Sequence, residues 1–171
     1  MPPRSPGYPA ARERPEASSP AAVRLLEAAE QDSHFSGGLS VPGDGAGVSR
    51  MEIFNPRESP VELLIESTSV WCDVSLIVSL FVSSTALATL DHRWRNDGGR
   101  DVAGIGELRR EAGAAILTFA RDVARVTTGA PSMRDDLAVI LLPGDGLVWE
   151  GGTVGVGFSG RFTGRERNRR R

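Results

Sequence analysis

Residues 102–127 have the sequence VAGIGELRREAGAAILTFARDVARVT, and this stretch decides the predicted fold class. Its apolar residues recur in steps of three and four, which is the spacing of one face of an α-helix. The residues with this spacing are Ile105, Leu108, Ala112, Ile116, Phe119, Val123 and Val126. Charged residues lie between them, and Gly129 and Pro131 supply a stop signal. We therefore predict a long amphipathic helix at about 102–127.

The segments on both sides of this helix are patterned as β-strands. From residue 72 to residue 82 every second position is apolar, and residues 137–142 form the continuous apolar run LAVILL. Both patterns are typical of strands that bury at least one face. Shorter strand patterns occur at 52–54, 61–67, 85–95, 147–150 and 153–158. The order strands, helix, strands predicts an α+β domain, an antiparallel sheet of about five strands with the helix packed on one face.

The composition of the chain divides it into three parts. Residues 1–50 are rich in Pro, Gly, Ala and Ser, and they are predicted to be a disordered or linker region with a short helix at about 21–31. Residues 51–160 are predicted to form the single folded domain, and Met51 is an alternative start of the protein. Residues 161–171 contain six arginines and are predicted to be a disordered tail.

Charged and reactive residue types exclude several chemistries. All 20 basic residues are arginine, which excludes a Schiff-base lysine and the lysine of a P-loop. This bias indicates a GC-rich bacterial genome, which we expect to be actinobacterial. The single cysteine excludes an intramolecular disulfide. Because the N-terminus lacks a continuous apolar segment of signal-peptide type, we expect a cytoplasmic location.

A membrane-associated protein is the third and most distant alternative. Residues 74–90 are uncharged, and Trp71 and Trp94 flank them where interfacial aromatics would sit. Against a membrane span stand the hydroxyl side chains of this segment and its alternation of apolar positions. We therefore expect no membrane contact.

Asp135 and Asp136 are the candidate metal ligands of the sequence. They precede the apolar run 137–142, where a rigid strand would hold a metal-binding or general-base carboxylate in place. Adjacent strand residues point to opposite faces, so two aspartates within a strand cannot both face one ion. The alternative is a solvated turn, with Arg134 as the neighbouring charge, and we favour this alternative.

The same segment also resembles a known family. The predicted helix is followed by Gly-Ala-Pro-x-x-Arg-Asp-Asp-Leu-Ala-Val-Ile-Leu-Leu at 129–142, which resembles the end of bacterial metal-dependent Ser/Thr phosphatase domains of the sporulation and sigma-regulator type. The resemblance implies that Asp135 binds Mg²⁺ or Mn²⁺, and otherwise no cofactor is expected. The family's upstream Gly-Asp-(Val)-x-Gly-x-Gly motif is missing, and so is the Asp-Gly pair before the helix. The resemblance therefore implies a degenerate or truncated relative without catalysis.

The arginine-rich end of the chain is the second candidate contact surface. Residues 21–160 carry eleven arginines and nineteen acidic residues, so a basic end follows an acidic body. Its arginines are predicted to contact nucleic acid, an acidic surface or an acidic partner. The alternatives are that the tail folds back on its own acidic domain or that it is a disordered tail that only increases solubility. The arginines of this segment are Arg161, Arg165, Arg167, Arg169, Arg170 and Arg171.

These observations favour a non-enzymatic function. We expect a small cytoplasmic protein that acts as a non-enzymatic protein-interaction or accessory module of the immunity type, with another protein as its partner. This expectation rests on an analogy of fold plan. The alternative is the degenerate or truncated metal-dependent phosphatase-like domain.

Overall fold

The described part of the protein is all-β. A computed structural model describes residues 34–45, 47–96, 103–113, 122–126, 132–134 and 137–168, and these residues form one antiparallel sheet curled into a half-barrel. The strands are β1 (His34–Val41), β2 (Val48–Phe54), β3 (Val61–Trp71), β4 (Leu76–Ser83), β5 (Thr89–Asn96), β6 (Ala103–Gly113), β7 (Asp122–Val126), β8 (Ser132–Arg134), β9 (Val139–Leu141), β10 (Gly146–Gly151) and β11 (Phe158–Asn168).

The order of the strands in the sheet differs from their order in the chain. The sheet runs β7-β4-β10-β2-β6-β5-β1-β11-β3, and β8 and β9 pair one after the other along β3. The sheet curls so far that β7 and β8, near its two ends, come within 8 Å of each other between Cα atoms. Most of these neighbours are distant in sequence, so the core depends on long-range pairing.

The core lies inside the curl of the sheet. Large side chains from alternate positions of the central strands are fully buried there, which removes their apolar surface from water and stabilises the fold by roughly 1.5–3 kcal/mol each. The largest are Trp94, Trp149, Phe162, Met51, Ile53, Leu63, Ile65 and Leu108. The indole of Trp94 also stacks on Phe35, with the ring centroids 5.6 Å apart.

The prediction of an α+β fold with a helix at 102–127 is wrong. No helix occurs in the part of the chain that the structure describes, and the predicted helix instead supplies β6 and β7. Residues 114–121, between these two strands, lie outside the described residues. The stretch 103–113 contains three glycines, each of which costs about 1 kcal/mol relative to alanine inside a helix. Tertiary pairing with β2 and β5 outweighs the apolar spacing.

Packing under Trp94 explains why glycines suit β6 as a strand. A Cβ atom at Gly106 would lie 2.8 Å from the indole Cε2 of Trp94 and 2.9 Å from Ile53, and one at Gly104 would overlap the same indole. The glycine backbone of β6 therefore lies directly against the indole of Trp94. This close approach is decided by a partner strand, so helical spacing within residues 102–127 carries no sign of it.

The predicted strands mostly exist, but their limits differ. The 61–67 pattern lies within β3, which extends to Trp71. The alternating 72–82 segment supplies β4 only from Leu76, and the 153–158 segment is mainly the connection to β11. The predicted strand 52–54 belongs to the longer β2, which lies between β10 and β6 in the middle of the sheet. The local pattern of apolar residues does not show whether a strand has one neighbouring strand or two.

Both flanks of the predicted domain contribute strands. β1 lies in the region assigned to the linker, and β11 includes residues 161–168 of the segment assigned to the tail. The two strands pair with each other over their whole common length, from His34 opposite Arg165 to Val41 opposite Phe158. The predicted short helix at 21–31 lies outside the described residues.

The membrane alternative concerned residues 74–90. The structure divides them into a short loop, β4, a second connection and the start of β5. Within the described ranges of the chain, no helix has the length and apolar character needed to cross a membrane.

Candidate binding face

Three neighbouring strands, β3, β11 and β1, present a polar surface on the side turned away from the core. Their alternate residues meet in three registered rows, Trp71–Ser159–Ser40, Ser69–Arg161–Gly38 and Ser67–Thr163–Ser36. The residues between them, such as Leu39, Val70 and Phe162, point into the core. We call these nine outward residues the Trp71 face.

Side chains of the Trp71 face are linked by short hydrogen bonds across the strands. The hydroxyl groups of Ser40 and Ser159 lie 2.6 Å apart, and Arg161 Nη2 donates to Ser36 Oγ at 2.6 Å. The third row has a similar link between Ser67 Oγ and Thr163 Oγ1 at 2.5 Å. These contacts hold polar groups in fixed positions, which lowers the entropy cost of binding a ligand.

Two hollows flank the indole of Trp71. One has a volume of about 560 Å³ and includes Asp73 and Arg110 in its lining, and the other, of about 370 Å³, includes Gly38 and Arg161. Both are also lined by Trp71 itself, which is 42% exposed, whereas Trp94 and Trp149 are fully buried. Aromatic side chains are common in the lining of ligand sites.

The charges around the hollows are of both signs. Arg110 Nε lies 3.2 Å from a carboxylate oxygen of Asp91, and Arg110 Nη1 donates to the carbonyl oxygen of Ser40 at 3.2 Å. Arg161 and Asp73 contribute one charge of each sign. The charged residues named here are therefore two cations, Arg110 and Arg161, and two anions, Asp73 and Asp91.

A second polar cluster lies on the outer side of β2, under residues 84–88, which we call the strap. Glu52 is fully buried there. Its Oε2 accepts a hydrogen bond from the backbone N–H of Leu87 at 2.8 Å, and Arg109 Nη1 donates to the Leu87 carbonyl at 2.9 Å. Both backbone groups of Leu87 are thus tied to the sheet, while its side chain packs with Phe81 and Val148.

Burial changes the acidity of Glu52. Loss of water around the carboxyl group raises the pKa of Glu52 to about 7, although the Leu87 N–H and Arg109 act in the opposite direction. The carboxylates of Glu107 and Glu111 add a further small rise. Among the described residues, Oε1 of Glu52 has no hydrogen-bond partner, and a Cβ atom at Gly146 would overlap it.

The predicted metal ligands, Asp135 and Asp136, lie outside the described residues. They are flanked by β8 and by residues 137–138, which precede β9. The phosphatase resemblance requires a helix before this pair, but the described residues there form β7 and β8. In the part of the chain that the structure describes, no three His, Cys, Asp or Glu side chains are grouped to hold a metal ion.

The predicted polyanion contacts lie mainly in a strand. Arg161, Arg165 and Arg167 belong to β11, and Arg169, Arg170 and Arg171 are outside the described residues. Arg165 Nε lies 2.9 Å from Glu66 Oε1, and Arg167 Nη2 lies 3.1 Å from Glu62 Oε2. The chain thus folds two of its arginines against acidic residues of its own neighbouring strand. Polyanion binding stays a prediction.

Neither Trp71 nor Glu52 was identified as a site residue from the sequence. Trp71 ends β3 and not the strand predicted from the 72–82 alternation, and its exposure follows from β3, where the preceding Val70 points into the core. Glu52 carried no sign of its burial, because this burial depends on the strap 32–36 residues further along the chain. No family model, curated protein or solved structure matches the chain in comparisons with known proteins.

Proposed function

We propose that the protein is a non-enzymatic recognition module that binds its partner across the Trp71 face. The observation that carries this proposal is the exposed indole of Trp71, held between two hollows on a registered sheet. Tryptophan and arginine are the residue types that most often dominate binding energy at interfaces. Arg161 lies one row from Trp71 on the neighbouring strand.

The rigidity of the face supports the same proposal. β11 pairs with β1 on one side and with β3 on the other, so every backbone segment of the face is held in a sheet ladder. Phe162, in the middle of β11, is fully buried beneath it. A site on a rigid strand keeps its side chains in place and requires little reorganisation on binding.

Hydroxyl-radical footprinting tests whether this face meets a partner. The purified protein is irradiated in buffer and in an extract of the cells that make it, and oxidation of each peptide is measured by mass spectrometry. Because Trp71 is exposed and reactive, a partner on the face reduces its oxidation. The control is Leu90, which is 46% exposed and lies outside the face, and its oxidation should not change.

One result contradicts the proposal, and a second removes the support for it. Trp71 oxidised equally in buffer and in extract means that nothing in the extract covers the face. Equal protection of Trp71 and Leu90 means a general effect of the extract, such as radical scavenging. The cytoplasmic location expected from the sequence is part of the proposal and determines which extract fraction is used.

A further inference from the structure

We propose that the Trp71 face binds a neutral oligosaccharide chain, with a sugar ring lying against the indole of Trp71. This inference rests on the proposed function and assigns a ligand class to the same site. The sequence-based expectation of a protein partner stays a prediction and is one of the outcomes of the test below.

The apolar part of the face consists of one flat aromatic side chain. Trp71 is its single large apolar group, six of the other eight residues carry hydroxyl groups, and the remaining two are Gly38 and Arg161. A peptide or protein partner is usually anchored by several apolar side chains in several pockets. A sugar ring needs one apolar contact surface, because its C–H face covers a single indole while its hydroxyl groups extend outward from the ring edge. The electron-rich face of an indole attracts such C–H groups.

The hydrogen-bonding groups of the face match those of a sugar. A serine or threonine hydroxyl both donates and accepts, as does each sugar hydroxyl, so every contact can be satisfied in either direction. Arg161 adds a donor and Asp73 adds an acceptor on opposite sides of Trp71. Sites that hydrogen-bond a substrate hydroxyl discriminate strongly against ligands that lack it.

The charge balance around Trp71 favours a neutral ligand over a polyanion. Arg110 is paired with Asp91, and Arg161 is the single charged residue among the nine residues of the Trp71 face. Affinity for nucleic acid comes largely from neutralising several phosphates with unpaired cations. The Trp71 face does not offer that excess of positive charge.

The two hollows determine the length of the ligand. They lie on either side of Trp71 and also share Ser40, so a ligand that stacks on the indole has room to continue in both directions. A single sugar would leave one hollow empty. A chain of sugar units fills both, which makes an internal segment of a polysaccharide the best match.

Acrylamide quenching of the native fluorescence tests this inference. The chain has three tryptophans, and two of them are fully buried, so the quencher reaches Trp71 selectively. The probes are amylose, mannan, a soluble β-glucan and the protein-free neutral polysaccharide fraction of the producing cells, with heparin as the polyanion. At least one neutral probe should abolish the quenchable component, and heparin should leave it unchanged.

Variants that retain Trp71, whose fluorescence is measured, identify the contact surface. Ser159→Val removes the central hydroxyl group next to Trp71 and should abolish the protection. Leu90→Ala changes a similarly exposed apolar residue outside the face and should retain it. Circular dichroism confirms that both variants are folded. Full protection of Ser159→Val would contradict hydroxyl recognition.

The outcomes separate this inference from the proposed function. Protection by a neutral polysaccharide supports both. Trp71 protected by the protein fraction of the extract, but by no polysaccharide, overturns the saccharide and leaves the recognition module standing. Protection by heparin alone also overturns the neutral ligand. Trp71 protected by nothing, in quenching and in footprinting, overturns both.

Discussion

Replacing Glu52 by glutamine tests the most unusual group in the sheet. Glutamine has the shape of a protonated glutamic acid and cannot ionise, so it retains the packing under the strap. The charged groups around Glu52 are Arg109, Glu107 and Glu111 on β6, while the strap contributes none. The substitution therefore isolates the cost of ionising one buried carboxyl group.

The expected magnitude follows from the pKa. The pKa of Glu52 is raised from 4.5 to about 7 in the folded protein, so the folded state holds this proton more tightly than the unfolded state. The stabilisation is complete below pH 4.5, decreases between 4.5 and 7, and is lost above pH 7. At about 1.4 kcal/mol for each pH unit, the total is roughly 3 kcal/mol.

Urea unfolding of both proteins measures this effect. Relative to Glu52→Gln, the wild-type protein should lose roughly 2–3 kcal/mol of unfolding free energy between about pH 5 and about pH 8. Glu58→Gln, at an exposed turn position, serves as the control and should follow the wild-type curve. The same difference between wild type and Glu52→Gln at both pH values would refute the argument that burial keeps Glu52 protonated.

Three further substitutions test the packing of the sheet. Gly106→Ala should lower the unfolding free energy by about 1–3 kcal/mol because its methyl group overlaps a buried indole, whereas Gly113→Ala, with no atom nearer than 3.4 Å, should cost less; urea titration compares them. Thr68→Val removes the hydroxyl group that accepts a hydrogen bond from the buried indole N–H of Trp149 at 2.8 Å. Calorimetry should show that the unfolding free energy falls by about 1–3 kcal/mol. Glu150→Ala removes the carboxylate that lies 2.7 Å from the buried guanidinium of Arg50, and it should lower the unfolding free energy by about 3–5 kcal/mol. Replacing both residues by methionine should restore most of that free energy in the same assay. An equal loss of unfolding free energy in the single and double variants would contradict the ion-pair argument.

Local patterns predicted the strands better than the fold class. The predicted strand 61–67 lies within β3, and the apolar segment 137–142 contains β9. The helix failed because the steps of three and four in β6 do not describe one buried face. Of Ile105, Leu108 and Ala112, Leu108 alone is fully buried. The helix prediction did not take into account that Gly104 and Gly106 leave room for the indole of Trp94.

The sequence by itself determined where most of the apolar strands occur and that lysine and disulfide chemistry are excluded. These properties depend on composition and on neighbours a few residues apart. The tertiary structure alone decided that residues 103–113 are a strand, that Glu52 is buried, and that Trp71 meets Ser159 and Ser40. The Trp71 face joins strands that begin at residues 34, 61 and 158, and only long-range pairing brings them into register. Its chemistry therefore belongs to the sheet and to no single segment of the chain.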